Sequence, residues 1–165
     1  MRIFMVKCLA AVALVAGSTA AYAEGGRLNA PSDPKWKEEC GSCHIAYPPA
    51  LLTANNWQRL MGGLDKHFGA NAELDAKDSK AILDYLQRYA GSGTRHESSS
   101  LRISDTLWFN REHREVSSKT WANPAVKSRS NCTACHVNGE RGDWSERGIR
   151  MPGGQRMEEG EDDDD

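Results

Sequence analysis

Two stretches of this sequence carry the residues best suited to chemistry, Cys40–His44 and Cys132–His136. In each, two cysteines stand three positions apart and a histidine follows at once. Residues three apart share one face of a helical turn, so both thiols can form thioethers with the two vinyl groups of one porphyrin. The histidine can then ligate the iron through an imidazole nitrogen. The pattern predicts two covalently bound haem c groups. The predicted cofactor-binding residues are Cys40, Cys43, His44, Cys132, Cys135 and His136.

Zinc and disulfides are the alternatives for these cysteines. A zinc site built from two C-x-x-C pairs usually has roughly 15–20 residues between the pairs. Here Cys43 and Cys132 are separated by most of the chain. Disulfides form in oxidising compartments, but they would leave both motif histidines without a role. Haem attachment explains all six residues and is therefore favoured.

Three further histidines are candidates for the distal sides of the two irons, since the chain has five in all. His67 lies near the end of a predicted amphipathic helix, and His113 has apolar neighbours on another. His96 lies in a Ser/Gly-rich stretch, where a solvated histidine is expected. We predict His67 for the first haem and His113 for the second, with His96 in reserve for either. The predicted iron ligands are His44, His67, His113 and His136.

The N-terminus is typical of an export signal. Basic residues precede an apolar run, and a small-residue cleavage site ends at Ala23. Cleavage there removes Cys8, and the four cysteines that remain all belong to the two motifs. The apolar run is too short to span a membrane. We therefore expect a periplasmic protein that is not membrane-spanning after signal cleavage; the alternative is an uncleaved anchor.

The charge pattern gives no support to one class of partner. The formal net charge is −2, and the acidic residues concentrate in a C-terminal tail over 158–165. Nucleic-acid binding has no support, because no basic stripe with interleaved aromatic residues occurs. We expect the acidic tail to increase solubility; the alternative is that it steers a partner protein towards the chain.

Helices must position the first motif. Asp33 and Pro34 predict the start of a helix that leads into it, and Thr53 predicts the cap of a second helix. A third is expected over 75–90. The second helix is expected to carry Trp57, Leu60, Met61, Leu64 and Phe68 on one stripe, with Met61 packing in the core.

The second motif has weaker surroundings. Ser104 or Asp105 could cap a helix that carries His113, and Asn123-Pro124 is expected to open another helix leading to Cys132. The fold class expected is mainly α, with a smaller, irregular C-terminal segment. The predicted divisions are a signal peptide (1–23), an N-terminal haem domain (24–91), a linker (92–100), a C-terminal haem segment (101–157) and an acidic tail (158–165).

Two family resemblances follow from these residues. The order of helix, haem motif, distal ligand and aromatic helix resembles a class I cytochrome c domain, although those domains usually offer a methionine as distal ligand. The second half is similar to the di-haem cytochrome c family. The stretches that carry this second resemblance are Arg102–Phe109, Arg111–Glu115, Pro124–Ser128 and Asn131–His136.

The di-haem resemblance implies a soluble periplasmic electron carrier with two bis-histidine haems and a class I-like N-terminal domain. It also implies a membrane cytochrome b as donor and an oxygen-binding mono-haem cytochrome c as acceptor. Two protein ligands on each iron favour outer-sphere electron transfer over enzymatic chemistry. A di-haem peroxidase or a gas-binding haem protein is the alternative, and it requires one open iron. A third reading is an electron-entry module of a larger complex that docks through the tail.

Overall fold

The computed structural model describes residues 28–152, and within this range helices and turns form the fold without a β-sheet. The prediction of a mainly α fold is confirmed. The predicted signal peptide and acidic tail lie outside the described residues. The helices are α1 (Pro34–Gly41), α2 (Ala54–Met61), α3 (Ala76–Arg88), α4 (Leu107–Glu112) and α5 (Ser118–Trp121). We call residues 28–91 the first segment and residues 101–152 the second segment.

The three helices of the first segment begin at side-chain caps. The Asp33 carboxylate accepts a hydrogen bond from the Trp36 amide at 2.8 Å, with Pro34 in the first helical turn. Thr53 caps α2, and Asp75 caps α3. Each cap satisfies an amide that has no partner inside the helix. The predicted caps of α1 and α2 are confirmed.

The core cluster of the described residues lies between α2 and α3. The Trp57 indole donates to the Pro49 carbonyl at 2.6 Å, which ties the start of α2 to the preceding 3₁₀ turn. Trp36 of α1 reaches the same core and lies 5.3 Å from Tyr85, ring centroid to centroid. The N-terminal half of α1 is thereby anchored on the helix pair. The buried core residues are Leu52, Trp57, Met61, Ile82, Tyr85 and Leu86.

The apolar stripe predicted along α2 is partly wrong. The helix ends at Met61, before Gly62 and Gly63, and Leu64 lies in a separate 3₁₀ turn. Phe68 has a backbone φ of 49° and is 47 % exposed. Two consecutive glycines favour a helix end, so the helical stripe stops at Met61, although Leu64 still packs against the core from its 3₁₀ turn.

The second segment is less helical than its sequence suggested. Thr106 caps α4, rather than Ser104 or Asp105, and the helix ends just before His113. The helix expected from Asn123 is wrong, because residues 123–131 form turns. Asn123 Oδ1 accepts from the Ala125 amide at 2.9 Å, and Lys127 has a φ of 62°. An Asx turn followed by a left-handed residue breaks a helix.

The residues between the two segments pack closely against α2. Asn56 Nδ2 donates to the Ser98 carbonyl at 2.8 Å, and the Ser98 amide donates back to Asn56 Oδ1 at 3.1 Å. Gly91, the last residue of the first segment, lies close to the 3₁₀ turn Pro49–Leu51. A Cβ at Gly91 would be only 2.3 Å from the Ala50 carbonyl oxygen. His96, expected to be solvated, is only 6 % exposed.

Within residues 28–152, none of the helices combines the length and the apolar composition that crossing a membrane requires.

Candidate haem sites

The first motif follows the last turn of α1. Cys40 lies in the helix, and Cys43 and His44 lie in the turn after it. Burial, with a smaller contribution from Glu39, raises the pKa of the Cys40 thiol to about 11, so it is protonated at neutral pH. Among the described residues, no two of the motif cysteines are joined by a disulfide.

The second motif begins in a 3₁₀ turn, Cys132–Ala134. The His136 amide donates to the Cys132 carbonyl at 2.8 Å and so closes the motif on itself. The Arg150 amide donates to the Cys135 carbonyl at 2.9 Å, which ties the motif to the end of the described chain. Burial raises the pKa of the Cys132 thiol to about 11.

His44 and His67 lie together, with ring centroids 6.1 Å apart and ring planes 28° apart. A tight turn presents His67: the Ala70 amide donates to the His67 carbonyl at 3.0 Å, and Gly69 has a φ of 102°. His44 Nδ1 lies 2.7 Å from the Ile45 carbonyl oxygen. A carbonyl only accepts, so Nδ1 carries the proton and the lone pair of Nε2 is available to a metal.

His113 and His136 form a second pair, with ring centroids 6.2 Å apart and ring planes 74° apart. His113 Nδ1 donates to the Phe109 carbonyl at 2.8 Å, which again leaves Nε2 available. The imidazole also stacks on the Phe109 ring at 4.0 Å. The ring of His136 has no such carbonyl contact, and its buried Nδ1 has no hydrogen-bond partner among the described residues.

Both pairs fit a haem iron. Two metal–nitrogen bonds of about 2 Å each, plus half the width of two imidazole rings, give a centroid separation of roughly 6 Å. Each pair combines one motif histidine with one predicted distal histidine. Within residues 28–152, no group of three or more His, Cys, Asp or Glu side chains is placed so that it could hold a metal ion.

For three of the four histidines, the surroundings favour the uncharged form that ligates metals. Burial lowers the pKa of His67 and His113, with smaller contributions from His44 and Arg129 respectively. Burial likewise lowers the pKa of His136, assisted by His113. Neutral imidazole is the commonest protein ligand for transition metals.

His96, the reserve candidate, belongs to neither histidine pair. His96 belongs to the 3₁₀ turn Thr94–His96, and its ring stacks on Trp108 with centroids 5.6 Å apart.

Sequence reasoning missed several aromatic residues around these pairs. Tyr47 stacks on His44 at 4.7 Å, Trp121 lies 5.9 Å from His113, and Trp144 lies 5.4 Å from His136. Tyr47 could have been suspected, because it stands three residues after a motif histidine and immediately before two prolines. Trp121 and Trp144 carry no comparable signal in the sequence.

The chain as a whole is similar to known proteins. The family model described as dihaem cytochrome c matches residues 36–144. A dihaem cytochrome c from Shewanella baltica OS155 is 35% identical, with 78% of this chain and 100% of that chain covered and a TM-score of 0.67. A dihaem cytochrome c from Rhodobacter sphaeroides is 41% identical, with 69% and 98% covered and a TM-score of 0.60. No curated protein matches the chain significantly.

Proposed function

Because the chain belongs to the dihaem cytochrome c family, we propose that it is an outer-sphere electron carrier whose two haems are each ligated by two histidines. Family membership confirms the prediction of two haem c cofactors. We propose that the first haem is attached at Cys40 and Cys43 and the second at Cys132 and Cys135. The class I character of the first segment stays a prediction.

The pairing of the histidines carries this proposal. His67 lies opposite His44 and His113 opposite His136, at centroid separations of 6.1 and 6.2 Å. Protein ligands on both faces would leave no open position for a substrate or a gas. Outer-sphere electron transfer needs no open position, whereas peroxidase chemistry and gas binding both do.

The bound haems supply iron that changes between Fe(III) and Fe(II). The protein's own residues would tune that change. Imidazole on both faces lowers a reduction potential relative to a histidine–methionine pair. The hydrogen bonds from His44 Nδ1 to Ile45 and from His113 Nδ1 to Phe109 increase the basicity of these two ligands and fix their orientation.

Localisation and partners are part of the proposal. The export signal in the sequence supports a periplasmic carrier. The family resemblance supports a membrane cytochrome b as donor and an oxygen-binding mono-haem cytochrome c as acceptor. An acidic tail beyond the described residues would make association with a basic partner weaken as salt rises.

Optical spectra of the purified protein, oxidised and dithionite-reduced, with and without carbon monoxide, test the proposal. We expect low-spin spectra that carbon monoxide does not change. Uptake of carbon monoxide by the unmodified protein would contradict bis-histidine ligation and favour a peroxidase or a gas-binding protein.

Variants identify the ligands. His67→Ala and His113→Ala should each open one iron and take up about one carbon monoxide per protein. His96→Gln is the matched control and should leave the spectrum unchanged. Carbon monoxide uptake by His96→Gln would instead make His96 a ligand.

A further inference from the structure

We propose that Tyr47 is a positioning residue that fixes the ring plane of His44 and joins the first haem site to the attachment segment of the second. This inference rests on the proposed bis-histidine ligation. It concerns a residue to which neither the motif pattern nor the histidine pairing assigns a role.

The first contact is with His44. The phenol ring of Tyr47 stacks on the imidazole with centroids 4.7 Å and planes 23° apart. The hydrogen bond from His44 Nδ1 to the Ile45 carbonyl restrains the same ring within its own plane. Stacking restrains the tilt of the ring and the hydrogen bond restrains its direction, so the two contacts together leave one orientation.

The second contact reaches across the chain. The Tyr47 hydroxyl donates to the Ser130 carbonyl at 2.6 Å, although the two residues are 83 positions apart. The same carbonyl oxygen lies 3.7 Å from Cys132 Sγ. A cysteine bonded to haem as a thioether has no S–H, so the donor that this carbonyl would keep is Tyr47.

The two residues that follow Tyr47 restrict the backbone, because both are prolines. Pro48 and Pro49 are both buried. The Pro49 carbonyl accepts the Trp57 indole N–H at 2.6 Å. Tyr47 is thus anchored in the core of the first segment while its hydroxyl holds the second.

This geometry has a spectroscopic consequence. The angle between two axial imidazole planes sets how far the iron d orbitals split, so near-parallel rings and crossed rings give different electron paramagnetic resonance (EPR) signals. The His44–His67 planes are 28° apart and the His113–His136 planes are 74° apart. The oxidised protein should therefore show two distinct low-spin signals, and the near-parallel one belongs to the first haem.

Two variants separate the two contacts. Tyr47→Leu removes the stack and the hydrogen bond, so we expect the EPR signal of the first haem to shift. Tyr47→Phe keeps the stack and removes only the hydroxyl, so that signal should stay. The Ser130 carbonyl oxygen, close to the attachment site of the second haem, would then lack its hydrogen-bond donor. Its uncompensated negative partial charge stabilises Fe(III) relative to Fe(II). We therefore expect Tyr47→Phe to lower the reduction potential of the second haem. A redox titration in which NMR follows each haem separately measures this potential.

Tyr89 provides the matched controls. It packs against the core of the first segment, with its ring centroid 5.3 Å from that of Tyr85. Tyr89→Phe should change neither potential and Tyr89→Leu neither EPR signal. The proposal is overturned if Tyr47→Leu leaves the first signal in place, or if Tyr47→Phe leaves the second potential equal to that of Tyr89→Phe. Carbon monoxide uptake by the unmodified protein would instead overturn the bis-histidine ligation itself, so the two failures are distinguishable.

Discussion

The first and second segments contain the same five-residue haem motif, but they hold it in place differently. In the first, the motif ends a helix whose Trp36 packs on Tyr85 of α3. In the second, the motif begins in a 3₁₀ turn, and backbone hydrogen bonds such as Arg150 N–H to Cys135 O connect it to the chain. One motif rests on a preformed core, and the other on local turns.

Burial shows the same difference. The core cluster between α2 and α3 belongs to the first segment. In the second segment, Phe109 and Val126 are the hydrophobic side chains that protein packing buries among the described residues. The aromatic rings of Phe109 and Trp144 also contact the His113–His136 pair. The first segment is therefore stabilised by side-chain packing, and we expect the second to depend on a bound haem for its core.

The largest expected effect comes from removing one haem at a time. Cys132→Ser/Cys135→Ser should abolish most amide protection over 101–152, because little other apolar packing stabilises that segment. Cys40→Ser/Cys43→Ser should leave α2 and α3 protected. Hydrogen exchange followed by mass spectrometry measures both. Equal loss of protection in the two segments would contradict the comparison.

Core truncation should distinguish the segments next. Ile82 is fully buried in the first core, and Ile82→Ala should cost about 4 kcal/mol of unfolding free energy. Val126 is 1 % exposed, and Val126→Ala should lower the free energy of unfolding by about 2 kcal/mol. Denaturant titration of the haem-loaded variants measures both values. A larger loss for Val126→Ala would place the stabilising core in the second segment.

The contact between Asn56 and Ser98 should have an intermediate effect. Asn56→Ala leaves a buried amide and a buried carbonyl of Ser98 without partners, which should cost roughly 2–3 kcal/mol. The matched control is Asn55→Ala on the exposed face of α2, with an expected change within about 0.5 kcal/mol. Equal effects in denaturant titration would mean that residues 94–98 do not stabilise the fold.

These differences explain which features the sequence could predict. The caps at Asp33 and Thr53 depend on neighbours three residues away, so local sequence was sufficient. The end of α2 depends on the glycine pair Gly62-Gly63, and the turns after Asn123 depend on its Asx turn. The spacing of apolar residues reveals neither feature.

The candidate site divides in the same way. The motif residues are recognisable from spacing alone, because attachment is local. The Tyr47–Ser130 contact and the burial of His96 arise from residues far apart in the chain. Composition marked the stretch around His96 as a polar linker, whereas the hydrogen bonds of Asn56 hold it against α2.

The smallest expected effect compares two aspartates that cap local structure. The Asp78 amide above all, with the Lys77 amide, lowers the pKa of Asp75 at the start of α3. The hydroxyl and amide of Ser145 lower the pKa of Asp143 in the second segment. A carboxylate with a lowered pKa stabilises the folded state above its unfolded pKa, and this contribution is lost as the pH falls through the folded value.

Acidification below about pH 4 should therefore weaken amide protection at both caps, since unperturbed aspartate titrates near 3.9. The extent should differ. Asp75 starts a helix of 13 residues, so Asp75→Ala should reduce protection along α3 at pH 7. Asp143→Ala should affect only the turn that follows it, because the haem contacts hold the rest. Asp75→Asn, which can still cap, should remove most of the acid dependence at Asp75 while keeping the helix. If Asp143→Ala loosened the whole second segment at pH 7, local turns rather than the cofactor would be holding that segment together.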